Sequence, residues 1–333
     1  MKILIAGFGS IGRRHFRNLL ALGERDILFY RTGHSTLNEA ELTDFVVETD
    51  LQAALSHRPN AVVVANPTAL HLSVAIPAAE AGCHLMLEKP LSHSLEGLPE
   101  LQAALQRGGG RVLVGFQFRY HPGLVKIAAL LADGAIGRPL SVRAHWGEYL
   151  PGWHPWEDYR QGYSARQALG GGVVLTLSHP LDYLRWLLGD VDALWAFTSR
   201  QSDLELDVED AAEIGLRFAN GVIGSLHLDY NQRPPRHDLE IVGTQGTLRW
   251  QNADGRVQIY RAEGSSSWET LTLPEDFDRD WLFRAQMAHF LDVARAEAAP
   301  RCTLEDGIQA LELALAVHHS ARQGGLVRFL AGE

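Results

Sequence analysis

The stretch Ile3-Leu4-Ile5-Ala6-Gly7-Phe8-Gly9-Ser10-Ile11-Gly12 decides how this chain is read. Four apolar residues form a short strand, and G-x-G-x-x-G follows at once and opens a helix over 11–22 that stops at Gly23. The glycine pattern alone is common; a strand before it and a helix after it make it informative. In that setting Gly7 allows a tight turn, Gly9 lets the backbone approach a pyrophosphate, and Gly12 lets the helix pack close to the sheet. The helix N-terminus offers free N–H groups and a partial positive charge to phosphates. Gly7, Phe8, Gly9, Ser10, Ile11 and Gly12 are therefore the candidate dinucleotide-binding loop.

Outward from this motif, strand and helix signals alternate. Strands are expected at 26–30, 61–65, 84–87 and 112–116, and helices at 51–57, 68–81 and 95–106. Strands separated by helices of this length imply right-handed crossovers and a parallel, doubly wound sheet. After residue 120 the pattern changes. A helix at 121–132 and a strand at 140–146 precede a glycine-rich run, Gly170-Gly171-Gly172, which opens a helix over 173–188. Strands then follow at 194–198, 212–218, 222–230, 239–242, 247–250, 257–260 and 269–273, with Asn220-Gly221 as a hairpin turn. Helices over 279–298 and 304–323 finish the chain. The fold class is α/β: a Rossmann-type, doubly wound dinucleotide-binding domain over 1–120, then an α/β domain over 121–333 with a mostly antiparallel, open-faced sheet.

Composition narrows the partners. The chain has 333 residues, 30 Lys and Arg against 40 Asp and Glu, a net charge of −10, and 46 % hydrophobic residues. The acidic balance argues against nucleic acid. No apolar run approaches the roughly 20 residues of a membrane span. Met1 and Lys2 lead straight into the first strand, so no signal peptide is expected and the cytoplasm is the default compartment. Cys83 and Cys302 support neither a disulfide framework nor a cysteine zinc site, and no metal is required. Cys83 reads as a small buried hydrophobe, His318-His319 as surface, and His227 and His237 lack the spacing of a metal motif.

The second strand bears on the choice of dinucleotide. It ends Phe29-Tyr30-Arg31-Thr32, with no carboxylate where an NAD-binding unit usually carries one for the ribose hydroxyls. Arg31 can pair with a 2′-phosphate, and Thr32, His34 or Ser35 can add hydrogen bonds. NADP is the expected cofactor, with NAD as the alternative. Glu88-Lys89-Pro90 follows the strand at 84–87, at the sheet edge where such folds bind ligands. Lysines are scarce here (Lys2, Lys89 and Lys126 alone), and a lysine, unlike an arginine, can shift its pKa and move protons.

Four features together resemble the Gfo/Idh/MocA family of NAD(P)-dependent oxidoreductases: the glycine motif, Asn66-Pro67-Thr68 with His71, Glu88-Lys89-Pro90, and Gly170-Gly171-Gly172 followed by His179 and Asp182. The resemblance covers nearly the whole chain. It implies action on sugars, cyclic polyols and their derivatives, and a homodimer or homotetramer formed through the C-terminal sheet. It implies Lys89 and His179 as catalytic residues, with Asn66, Pro67, His71, Glu88 and Lys89 at the cofactor. Arg119 would lie near the active site and contact substrate. Many members carry an aspartate shortly before the histidine; here the matching position is Thr176, whose hydroxyl can orient a substrate but cannot carry a proton as a carboxylate does. Lys89 and His179 would then share the acid–base work, or another carboxylate substitutes. Asp182, one turn on, either orients that helix or serves as a cap or ion pair.

Oxidation of a secondary alcohol sends a hydride to the nicotinamide and a proton to a base. Histidine's unperturbed pKa near neutrality suits His179 to this task, and Lys89 can polarise the oxygen. The segment 146–160 is dense in aromatic and polar residues, and Trp153, His154, Asp158, Tyr159 and Arg160 are candidate substrate contacts. The same segment also reads as a lid or a dimer contact. Two other functions stay open: a redox-neutral glycosidase or epimerase type that retains NAD, and a non-catalytic dinucleotide-sensing regulator.

Overall fold

β1 (Ile3–Ala6) is wholly buried, and its apolar side chains belong to the core of the first of two compact units. The computed structural model describes residues 1–33, 40–263, 267–272, 277 and 279–329. In chain order β1 is followed by α1 (Ser10–Ala21), β2 (Ile27–Tyr30), β3 (Val46–Glu48), α2 (Leu51–Ser56), β4 (Ala61–Val64), α3 (His71–Glu80), β5 (His84–Leu87), α4 (Leu98–Gly108) and β6 (Val112–Val114). The six strands form one sheet in the order β3-β2-β1-β4-β5-β6, and every pairing is parallel. The order reverses beside β1, which makes the C-terminal ends of β1 and β4 the switch point where such sheets bind ligands. β1, β4 and most of β5 are buried on both faces, as the uninterrupted apolar runs require.

The second unit carries α5 (Pro122–Ala132), β7 (Pro139–Gly147), α6 (Val173–Thr176), α7 (His179–Leu188), β8 (Val191–Ser199), β9 (Ala211–Phe218), β10 (Ile223–Asp229), β11 (Arg236–Gly243), β12 (Gly246–Gln251), β13 (Val257–Arg261) and β14 (Glu269–Leu271). α8 (Arg279–Ala294) belongs to the first unit, α9 (Leu304–Gln323) changes unit after Leu311, and β15 (Val327–Arg328) adds an edge strand to the second. The nine strands run β14-β13-β12-β11-β7-β10-β9-β8-β15, antiparallel except for the parallel pair β7 and β10. One face is packed by Val142, Ala144, Trp146, Leu226, Leu228 and Ile241, all buried. The other exposes Trp195, Phe197 and Ile223.

Several boundaries differ from the expected ones for identifiable reasons. The helix expected over 95–106 starts later, at Leu98, because Gly97 adopts φ 81° and Pro99 suits a first turn. The start of the stretch 68–81 is a 3-10 turn, Thr68–Leu70, before α3 begins. β3 is not among the expected strands: it is three residues long, and its Val46 and Val47 lie exposed at the sheet edge. The helix expected over 173–188 is two helices. Pro180 has no N–H to offer the Thr176 carbonyl, so the i→i−4 ladder cannot run through this point. The chain therefore breaks at Leu177 and Ser178, and His179 opens a new helix.

Candidate active site

The glycine loop divides its labour as the sequence implies. Gly7 has φ 97°, and a Cβ there would fall 2.7 Å from the Ala65 carbonyl oxygen and the Asn66 nitrogen. A Cβ on Gly12 would meet the Gly7 carbonyl oxygen at 2.2 Å, so α1 can only pack this closely with glycine. A Cβ on Gly9 would meet nothing within 4 Å. The crowded glycines build the turn, and the open one leaves the backbone at the start of α1 approachable, which fits a pyrophosphate. Ser10 is exposed and Ile11 half-buried. Phe8 points the other way: it is buried and meets Phe16 and Phe29 edge-on, with ring centroids 5.9 and 5.1 Å away. Arg31 leaves the end of β2 almost wholly buried, its N–H donating to the Glu48 carbonyl at 3.0 Å. Thr32 is exposed; His34 and Ser35 lie outside the described residues.

Two further loops close this edge of the sheet. His71 is buried and spans them, with Nδ1 2.9 Å from the Pro90 carbonyl and Nε2 2.9 Å from the Asn66 carbonyl. Burial lowers its pKa against the opposing pull of Asn66 and Glu88, and the ring bridges the turns after β4 and β5. Asn66 also donates through Nδ2 to Leu70, and Pro67 precedes that turn. Glu88 is buried, and its Oε1 lies 2.6 Å from His15 Nε2. Burial pushes the Glu88 carboxyl up, but the His15 hydrogen bond and the charges of His15 and Lys89 outweigh it and hold the group below its ordinary value. Its Oε2 accepts from the Lys89 backbone N–H at 3.2 Å. His15, on α1, was not singled out from the sequence; the signal available was its place on the helix face that also carries Phe16 and Leu19. Lys89 is half-buried, and its peptide bond to Pro90 is cis.

In the second unit His179 is buried at the first position of α7. Phe118 meets its imidazole edge-on at 5.0 Å, and Trp146 stacks on it at 5.4 Å with 21° between planes. Trp146 also stacks on His237 at 4.1 Å, and its indole N–H donates to Glu148 Oε1 at 2.7 Å. His237 is buried beside the Tyr183 hydroxyl (3.2 Å), and burial together with nearby histidine charge holds it neutral. This aromatic wall was missed because its members come from the 3-10 turn Gln117–Tyr120, β7, α7 and β11.

Thr176 is buried at the end of α6 and hydrogen-bonds the Tyr230 hydroxyl, which donates to the Ser164 carbonyl at 3.3 Å. Trp153 meets Tyr230 edge-on at 5.6 Å. The Arg119 guanidinium grips Asp182 through Nε (3.1 and 3.0 Å) and a terminal nitrogen (2.7 Å), with both side chains buried. Asp182 is thus in an ion pair, as one of its two readings had it. His154 is half-buried beside Trp156. Asp158, Tyr159 and Arg160 form a surface network: Arg160 binds Asp158 at 2.7 Å and Glu205 at 3.1 Å, and the Glu205 N–H donates to the Tyr159 hydroxyl. His318, expected at the surface, is half-buried and 3.0 Å from Glu209, which accepts from Val174 N–H at the start of α6.

Residues 1–116 match the family described as "Oxidoreductase family, NAD-binding Rossmann fold", and residues 124–249 match the GFO/IDH/MocA C-terminal domain. 1,5-Anhydro-D-fructose reductase of Ensifer adhaerens is 31 % identical over 273 residues, 80 % of this chain and 78 % of that protein. The chain belongs to the GFO/IDH/MocA family. It is an oxidoreductase with an NAD-binding Rossmann fold and a second α/β unit. Myo-inositol 2-dehydrogenase of Thermotoga maritima is 26 % identical over 344 residues, 97 % of each chain. The crystal structure of WlbA dehydrogenase from Bordetella pertussis with NADH and UDP-GlcNAcA has the same fold, with a TM-score of 0.82 and 23 % identity over 100 % of this chain and 99 % of that one. No helix among the described residues is long and apolar enough to cross a membrane.

Proposed function

We propose that this GFO/IDH/MocA oxidoreductase acts on a secondary hydroxyl, or the corresponding carbonyl, of a sugar, cyclic polyol or sugar derivative, with NADP as cofactor. The observation that carries the reading is Lys89 at the end of β5 in an NAD-binding sheet, its backbone held by a Glu88 that is itself fixed by His15. Gly7 to Gly12 would hold the pyrophosphate, Arg31 and Thr32 the 2′-phosphate, and Asn66, Pro67, His71 and Glu88 shape the nicotinamide side. Bound NADP supplies the hydride acceptor, and NADPH the donor. The ammonium of Lys89 polarises the substrate oxygen, and His179 takes or returns the proton. Thr176 orients a hydroxyl without carrying its proton. Arg119 acts through Asp182, holding the first turn of α7 and with it His179. Of the aromatic segment, Trp153 fits a sugar face best because it packs against Tyr230, the partner of Thr176. His154, Asp158, Tyr159 and Arg160 complete the proposed substrate segment. A functional division near residue 120, a cytoplasmic setting and a homo-oligomer through the face exposing Trp195 and Phe197 accord with this reading.

The test begins with the purified protein and the dinucleotide released on denaturation. NADPH and NADH are then titrated by fluorescence, and a panel of sugars and polyols is assayed for NADPH turnover. Lys89→Met and His179→Asn should each lower turnover about 100- to 10,000-fold while NADPH binding persists. Turnover unchanged in both variants overturns the catalytic assignment. Stoichiometric retained NAD(H) overturns the NADP assignment and favours a redox-neutral reaction.

A further inference from the structure

On the exposed face of the second unit's sheet, His145 of β7 and His227 of β10 are register partners on adjacent parallel strands. Asp229 lies two residues beyond His227, and so on the same face. Trp146, Leu226 and Leu228 occupy the opposite face, toward His179 and the core. The ligating atoms of His145, His227 and Asp229 all lie within 4.8 Å of one another. His227 Nε2 is 3.1 Å from Asp229 Oδ2, and His145 Nε2 is 3.8 Å from the same oxygen. His145 Nε2 is shielded from solvent and has no hydrogen-bond partner there.

The surroundings hold these atoms in place. Asp229 Oδ1 accepts from the N–H groups of Asn231 and Gln232, both at 2.6 Å, which turns Oδ2 to the imidazoles. Glu213 Oε1 lies 2.6 Å from His227 Nδ1. A carboxylate on the far nitrogen is the arrangement that fixes the tautomer and aim of a metal-binding histidine. Gly147, the register partner of Asp229, makes room: a Cβ there would fall 2.1 Å from Asp229 Oδ2.

We propose that His145, His227 and Asp229 bind one divalent first-row cation, Zn²⁺ by ligand type, with Glu213 as the outer partner of His227. Two imidazole nitrogens and one carboxylate oxygen suit zinc and leave a fourth position for water or another donor. With zinc–ligand distances near 2.0–2.1 Å, tetrahedral ligand atoms sit about 3.3 Å apart. The observed 3.1 and 3.8 Å bracket that value, and because the two imidazoles stack with centroids 4.5 Å apart, one ring must turn toward Asp229 Oδ2 to complete the site. The site lies on the sheet face away from His179 and does not depend on the hydride-transfer reading.

The test uses the full-length, tag-free protein, stripped with a chelator and desalted. Zn²⁺ is titrated in competition with a chromophoric chelator, and Co²⁺ in parallel for its visible d–d bands. One equivalent per chain is expected, with Co²⁺ bands of a nitrogen–oxygen site. Glu213→Gln, at an exposed position, should weaken binding about 10- to 100-fold, and His145→Gln by at least as much. Tryptophan fluorescence serves as the check that each variant is folded, since seven of the eight tryptophans lie in the same unit as the site. No stoichiometric binding overturns the site and leaves a protonated His227 between two carboxylates. Binding unaffected by both substitutions overturns it as well, by placing the metal elsewhere. If His145→Gln fails to fold, Glu213→Gln decides.

Discussion

Replacing Asp182 by leucine should reveal how α7 is held. The Arg119 and Asp182 side chains are 5 % and 2 % exposed and joined at 2.7 Å. Removing the carboxylate leaves a guanidinium buried without its counter-charge, and such a loss costs about 3–5 kcal/mol, because a charge out of water is stabilised chiefly by its partner. Replacing both residues, as Arg119→Met with Asp182→Leu, removes the buried charge as well. The double variant should recover most of the loss, and apolar replacements of such pairs are often neutral or better. Urea unfolding followed by tryptophan fluorescence reads the effect where it arises, since seven of the eight tryptophans lie in the second unit. Asp182→Leu should also lower kcat, because His179 begins the same helix three residues earlier. NADPH binding should hardly change, since the glycine loop belongs to the first unit. A loss below about 1 kcal/mol, the worth of an exposed pair, would refute the reasoning. So would a double variant no more stable than the single one.

Three other outcomes are expected. Gly9→Ala meets open space and should leave stability within about 1 kcal/mol while weakening NADPH binding; Gly7→Ala, at φ 97° and against Ala65, should cost about 1–3 kcal/mol or more, both read by urea midpoint and fluorescence titration. Arg31→Ser should weaken NADPH binding about 10- to 100-fold by removing a charged hydrogen bond to phosphate, and leave NADH binding nearly unchanged. Burial pushes the His121 imidazole down to about 3, whereas the unfolded chain protonates it near 6.5. Its contribution is therefore complete above about pH 6.5 and is lost as pH falls toward 3, about 3 kcal/mol by pH 4.5. Urea midpoints at pH 7 and 4.5 should differ less in His121→Asn, whose side chain can still accept from the Gly123 N–H that His121 Nδ1 now holds.

Much of the first unit is legible in the sequence, because its signals are local. An uninterrupted apolar run makes a strand buried on both faces, and glycine spacing makes a turn that ends at a helix N-terminus; neither depends on distant residues. Gly7, Gly9, Gly12 and Lys89 therefore stood out at once, as did the change of pattern near residue 120. Pro180 could have announced the break before His179, since its missing N–H is local too; the apolar periodicity on either side concealed it. What only the tertiary structure decided are the pairings between elements. Nothing near Arg119 in sequence points to Asp182, 63 residues away. Thr176 reads as a lost carboxylate until Tyr230 is found beside it. His145, His227 and Asp229 have no motif spacing, and they meet because β7 and β10 pair in parallel at one register; a slip of one residue on either strand would turn its ligands to the opposite face. Periodicity is written along the chain, but partnership between buried polar groups is set by strand register and burial, which the chain acquires only on folding.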